Sequence, residues 1–309
     1  MTSAACDRPM SRASTSGDVL AVRRPFHKAA LLAYLRARAM PGVEEVNDST
    51  YRRVVTWQGR AGVLSIDLSA GETVGQAIVG CDIPGLRRWA LTRAAALVDA
   101  DTDVAPIEAH LGRDRAIGAI VAVQRGVRIP GAIDPFELAV RSILGQQISV
   151  AGARTLATRV VERHGIPLSA PRGLLTKSFP SASALESADL ERCGIAGARA
   201  EAIRTVAHMV SGGLLKMAWR DRIEETYEGL LSVKGVGPWT ASYIALRALG
   251  DADASMATDL GVRQVIGTRE VPASPSVVSR AAARWIPFRG YAAIHIWTSL
   301  LLPQASVVE

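Results

Sequence analysis

At 309 residues the chain has room for two domains, and 49% hydrophobic with 21% charged residues is a globular composition that excludes disorder over most of its length. Basic residues outnumber acidic ones 36 to 29, and only Lys28, Lys177, Lys216 and Lys234 are lysines. This arginine excess suits a polyanionic partner, although solvated surface alone would also explain it. No apolar run approaches the ~18 residues of a membrane span. Cys6, Cys81 and Cys193 are too few and too scattered for a disulfide framework, a four-Cys zinc site or an iron–sulfur cluster, so a reduced cytoplasm is the expected compartment.

Met1–Val22 is polar and aperiodic with no apolar signal core, which predicts a disordered lead over 1–22. Ala30, Leu31, Leu32, Tyr34 and Leu35 then lie near helical spacing and stop at Met40-Pro41-Gly42. Tyr51–Trp57 reads as a strand and Gly59-Arg60-Ala61-Gly62 as a turn. Over Val63–Ser69 the residues Leu64, Ile66 and Leu68 alternate with Ser65, Asp67 and Ser69, the period of a half-buried strand. A helix over Gly85–Val98 and an acidic break at Asp99–Asp103 complete a small α+β domain, placed at 23–105. Beyond it strand signals fade. Helices fit Phe136–Ser142, a long pattern to His164, and then Ala182–Arg192, Arg199–Ser211, Arg222–Leu230, Pro238–Leu249, Asp259–Ile266 and Ser276–Trp285. The chain therefore reads as mainly α, with an all-helical domain at 106–303 and a short tail at 304–309.

The most informative segment runs from Leu230 to Ala241 through Lys234-Gly235-Val236-Gly237-Pro238-Trp239. It is a helix end, a tight turn with two glycines, and a helix opening with proline in its first turn. Free N–H groups at such a turn are suited to a phosphate oxygen, with Lys234 adding charge beside them. An ordinary αα-hairpin is the plain alternative. Twenty residues past Trp239 stands Asp259, at the start of an apolar helical run. Asp there reads first as a helix N-cap, a role compatible with catalysis because a helix N-terminus favours the ionised carboxylate. Trp239 and Tyr243 are i,i+4 on one face, and Trp297 lies near the C-terminus. Core packing is the default for each aromatic taken alone.

Taken together, these segments resemble the helix-hairpin-helix superfamily of DNA base-excision glycosylases, and within it the 3-methyladenine DNA glycosylase II family. The resemblance is carried by the hairpin, by Phe136–Val150 with its Leu144-Gly145-Gln146-Gln147 turn, by Cys193-Gly194-Ile195 with Arg199–Ile203, and by Arg284–Trp297. It covers about residues 25–300, the α+β front segment included. It implies a helix-hairpin-helix glycosylase fold with Asp259 as the catalytic aspartate. Trp239, Tyr243, Trp297 and Tyr34 would wall the base pocket, Tyr34 standing where the family has Phe, with Gln146 at the rim. Gln147 would be the side chain that enters the duplex, and Lys234, Gly235 and Gly237 the phosphate grip. Two departures stand out. The wedge is apolar in the family and Gln147 here, and the residue after the aspartate is aromatic there and Leu260 here.

The implied activity is hydrolytic excision of alkylated purines from double-stranded DNA by a monomer. No metal site or cofactor is implied, apart from a monovalent cation that the hairpin of this family can hold. A bifunctional glycosylase/lyase would need a lysine amine just inside the second hairpin helix, where this chain has Trp239. A non-catalytic helix-hairpin-helix DNA-binding module would need no Asp259 and no aromatic pocket. Half of an alkylation-response fusion, with Met1–Val22 as a former linker, is a further alternative.

Overall fold

The computed structural model describes residues 17–302. The front of the chain builds β1 (Asp18–Ala21), α1 (Lys28–Arg38), β2 (Glu44–Val46), β3 (Thr50–Trp57), β4 (Arg60–Asp67), β5 (Gln76–Cys81) and α2 (Arg87–Val98). The five strands form one antiparallel sheet in the order β1-β5-β4-β3-β2. Alternation in β4 has its expected effect: Leu64 and Ile66 face inward and pack with Tyr51, Val79, Leu97 and the apolar side of α1.

One expectation fails here. Residues 18–21 are not part of a disordered lead but an edge strand paired to β5, and Val22 just beyond is buried. A four-residue strand carries almost no periodicity, and its order comes from a partner far along the chain. Residues 1–16 of the expected lead, and the expected tail, lie outside the described residues.

The rest of the chain adds α3 (Val104–Leu111), α4 (Gly118–Val123), α5 (Pro135–Leu144), α6 (Val150–His164), β6 (Pro167–Arg172), β7 (Leu175–Lys177), α7 (Ala182–Leu185), α8 (Gly197–Ser211), α9 (Ile223–Leu231), α10 (Pro238–Ile244), α11 (Leu260–Ile266), α12 (Pro275–Ala282) and α13 (Arg289–Leu301). The fold is mainly helical with its sheet at the N-terminus. The rear part is not purely helical, however. β6 and β7 form a hairpin whose buried Leu175 packs on Val54 and Val63 of the front sheet. That hairpin is polar and short, so its pairing partner, not its pattern, makes it a strand pair.

Two further cores lie behind the sheet. One joins α5, α6, α8 and α10 around Val140, Ile203 and Ile244. The other gathers α3, α4, α12 and α13 around Leu111, Val121, Trp285 and Ile294, with Ala30 of α1. A division at 105 would cut α3, which packs within this last core. Between the cores, α1 and α10 face each other across a cleft of about 1240 Å³. Among the described residues no helix is long and apolar enough to cross a membrane.

Candidate active site

Asp259 is the N-cap of α11, as its sequence context predicts. Its Oδ1 accepts from the Val262 N–H at 3.0 Å. The cap is only part of its bonding. Trp297 Nε1 donates to the same oxygen at 2.9 Å, and Trp239 Nε1 donates to Oδ2 at 3.1 Å. A carboxylate offers about four lone-pair sites. Three are taken by N–H donors, and the remainder lies on Oδ2 at the cleft.

The two indoles belong to the walls of that cleft. Trp239 stacks on Tyr243 with ring centres 5.3 Å apart and 17° between planes, and Tyr243 meets Trp297 at 5.7 Å, tilted by 45°. The i,i+4 spacing of Trp239 and Tyr243 in α10 produces the stack. Tyr34 comes from α1 of the front domain, fully buried, with its hydroxyl 3.0 Å from that of Tyr243. The five residues, scattered over more than 260 positions of sequence, thus surround one space.

Two arginines that sequence reasoning passed over complete the back of this space. Arg247 is buried, and its Nη1 donates to Tyr34 at 2.8 Å and to Tyr243 at 3.0 Å. The Arg38 guanidinium lies 3.7 Å over the Tyr34 ring. A usable signal existed: each arginine follows its tyrosine by four residues on a helical face. Arg247 sits in a π-helical turn, Ala245–Leu249, that prolongs α10. Such turns recur at functional sites.

The hairpin forms between α9 and α10. Gly235 has φ +96°, a conformation that favours glycine, while Gly237 is the extended N-cap of α10 with Pro238 at the first helical position. Val236 N–H closes the turn on the Val233 carbonyl at 3.0 Å, and among the described residues the N–H groups of Gly235 and Gly237 have no acceptor. Lys234 is exposed and does not line the cleft.

Gln146 ties the α5–α6 turn to this hairpin. Its Nε2 donates to the Gly235 carbonyl at 2.8 Å and to Thr240 Oγ1 at 2.9 Å, while Arg199 donates to the Gln146 carbonyl. The Val233 and Gly235 carbonyls thus accept from the Val236 N–H and from Gln146 respectively. Gln147 follows at φ +58°, exposed at the mouth of the cleft, with Ile148 beside it. Leu260, next to the aspartate, is exposed on the same rim. Among the described residues no group of three or more His, Cys, Asp or Glu side chains could hold a metal ion.

Comparison with known proteins adds to this geometry. A family model described as the AlkA N-terminal domain matches residues 19–134. The chain is 37% identical over 297 residues to a probable bifunctional transcriptional activator/DNA repair enzyme AlkA of Mycobacterium tuberculosis; the match covers 95% of this chain but only 59% of that relative's length. It is 32% identical over 287 residues to DNA-3-methyladenine glycosylase 2 of Escherichia coli, covering 88% of this chain and 94% of that protein. Among solved structures, a 3-methyladenine DNA glycosylase from Archaeoglobus fulgidus superposes with a TM-score of 0.76 at 23% identity, over 90% of this chain and 96% of that one, which shows a common fold. The fold, the front domain and identity over nearly the whole length of an established relative agree, and the chain belongs to the DNA-3-methyladenine glycosylase II family.

Proposed function

We propose that this protein is a monofunctional DNA glycosylase that extrudes alkylated purines of the 3-methyladenine and 7-methylguanine type from duplex DNA and hydrolyses their N-glycosidic bond, leaving an abasic site for base excision repair. The observation that carries this reading is the Asp259 carboxylate bracketed by the indole N–H groups of Trp239 and Trp297 at an aromatic cleft. A binding module would gain nothing from an anion held there.

Alkylation of a ring nitrogen makes the purine cationic and a good leaving group. The protein then has three tasks: to flip the nucleotide, to hold the base, and to stabilise positive charge developing on the sugar. Stacking of the base on the aromatic wall of Trp239, Tyr243 and Trp297 is worth ~1–3 kcal/mol per base, comparable to the few kcal/mol that extrusion costs. An electron-poor base gains most from such walls. Asp259, anionic and fixed by three donors, stabilises the oxocarbenium-like sugar and orients the attacking water through its remaining lone pair. The hairpin N–H groups grip backbone phosphate without reading sequence, and Gln147 fills the space the base leaves. No step needs a cofactor; a monovalent cation at the hairpin would act on DNA affinity alone. The protein works as a monomer in the cytoplasm on this reading.

Incubation with methylated duplex DNA tests it. The expected result is release of free alkylpurine and an abasic strand cut only by added alkali or endonuclease. Binding without release would leave a non-catalytic module, and borohydride trapping of a protein–DNA adduct would establish a lyase. The exposed position of Lys234, outside the cleft, argues against the latter.

A further inference from the structure

Arg247 is 4% exposed, and its guanidinium reaches the Pro130 and Gly131 carbonyls and the phenol oxygens of Tyr34 and Tyr243, but no carboxylate among the described residues. Arg38, over the Tyr34 ring, donates to the Tyr34 carbonyl and is equally without a carboxylate partner among them. Glu44 and Glu137, which line the inner end of the cleft, are already held by Arg141 and Arg53. A buried charge calls for an opposite charge. Two guanidiniums behind a pocket for cationic bases would also repel their own substrates.

Counting hydrogens locates the missing anion. The two phenol oxygens are 3.0 Å apart, and each accepts from Arg247 Nη1. The two hydroxyls bring two hydrogens, and only one fits between them. Tyr34 is 2% exposed, so a hydrogen on it not directed at Tyr243 would be buried without an acceptor. Tyr34 therefore donates to Tyr243. The Tyr243 oxygen accepts twice, and its own hydrogen is the one left over.

We propose that the Tyr243 oxygen, prepared by Tyr34 and Arg247, takes an anionic form and is a specificity-determining contact that selects cationic over neutral bases. This rests on the reading of the cleft as a base pocket. The proton passes to bulk water, and the phenolate serves Arg247 as counter-ion at the back of the cleft that would take the extruded base. Burial alone would raise the Tyr243 phenol, but Arg247, Arg38 and the bond from Tyr34 outweigh it and bring it down to about 8. Burial pushes Tyr34 the other way, up to about 12. The groups facing Tyr243 are Tyr34 and Arg38 from α1 and Arg247 from its own helix. α13 contributes the uncharged Trp297, and Asp259 of α11 stands beyond the two indoles to which it is bonded. The hydroxyl of Tyr34, at a position where the family has Phe, thus has a defined task.

Two measurements on the intact protein test this. In a pH titration of ultraviolet tyrosinate absorbance, one phenol of the wild type ionises at about pH 8. That step is lost in Tyr243→Phe and moves toward the ordinary value of 10 in Tyr34→Phe. In single-turnover excision just above pH 8, Tyr34→Phe lowers release of the cationic base 7-methyladenine about fivefold more than release of neutral hypoxanthine, the loss expected of one charge contact in a partly wet cleft. A wild type with no phenol titrating below 10, or equal losses on the two bases, overturns the proposal while leaving the glycosylase reading intact. Failure of the wild type to release any alkylpurine overturns that reading and the selectivity with it.

Discussion

Trp239 and Trp297 donate their indole N–H groups to different oxygens of one carboxylate, that of Asp259, so two walls of the pocket and the acid beside them are a single hydrogen-bonded unit. Because Oδ1 also caps α11, the same side chain fixes a helix start, orients two rings and presents charge. Its replacement separates these tasks. Asp259→Asn keeps the cap, so stability should change by no more than ~1 kcal/mol. It removes the charge, and its amide NH2 must face one of the two indole donors. Excision should fall by roughly 10²–10³, the scale seen when one electrostatic stabiliser is lost, with duplex binding retained. Trp239→Phe should fall less, since stacking on Tyr243 survives and one donor to the acid is lost. Single-turnover rates with parallel melting curves measure both. Near-normal excision by Asp259→Asn would leave the residue a cap and nothing more.

The hairpin offers a contrast between two glycines. A Cβ on Gly237 meets no atom within 4 Å, and its φ of −93° is open to any residue. Gly237→Ala should therefore fold normally. Gly237→Asp should fold too, but puts negative charge toward phosphate and should weaken damaged and undamaged duplex alike, about tenfold. Gly235 is different. Its φ of +96° makes any side chain strained, so Gly235→Ala should cost ~1–2 kcal/mol of stability before DNA is present. Binding isotherms and melting curves for the three variants check this. Selective loss on damaged DNA by Gly237→Asp would place the hairpin in base recognition instead.

How much of this was legible in the sequence depends on how local each cause is. Gly235, Gly237 and Pro238 impose their geometry through their own backbones, and the alternation of Leu64, Ile66 and Leu68 declares its strand without help. Asp259 reads as a cap because a cap is decided within four residues. The strand at Asp18–Ala21 and the hairpin of β6 and β7 were invisible, because both exist through pairing with distant residues. Arg247 and Arg38 were passed over for a related reason, since their spacing of four from a tyrosine gains meaning only when the two tyrosines meet. An arginine in an apolar helical run reads as surface until Tyr34 and Tyr243 are brought from 209 positions apart to share a hydrogen bond.

A buried histidine makes stability depend on pH. His295 is fully buried, with neither ring nitrogen bonded among the described residues, and burial, with repulsion from His27 adding to it, lowers its pKa from 6.5 to about 4. Between those values the unfolded chain binds a proton that the folded chain refuses, so stability falls as pH drops through this window and is independent of this group above 6.5. His295→Leu should remove that part of the acid sensitivity, up to ~3 kcal/mol at the low end, with a smaller effect at neutral pH. Denaturation midpoints of both proteins across the window decide it, since the carboxylates they share cancel in the difference. Parallel curves would mean that His295 is protonated with a bound water or is accommodated by local opening.

The two glutamines of the α5–α6 turn should fail in different ways. Gln146 is spent on structure: bonds to Gly235 and Thr240 pin the turn to the hairpin. Gln146→Ala should loosen both and slow excision whatever the target pairs with. Gln147 is exposed at φ +58° and held by no such bonds among the described residues; on the proposed reading it would act only after extrusion, by occupying the emptied stack and bonding to the orphaned partner base. Gln147→Ala should spare binding to undamaged duplex but slow excision roughly tenfold where the lesion is correctly paired. The loss should be smaller at a mispaired lesion, which flips at lower cost and depends less on a plug. Single-turnover excision of paired and mispaired substrates by both variants is the measurement. Equal loss for Gln147→Ala on the two substrates would mean that another side chain fills the gap. Ile148, 40% exposed on the same rim and apolar as the family's wedge is, would then be the residue to replace.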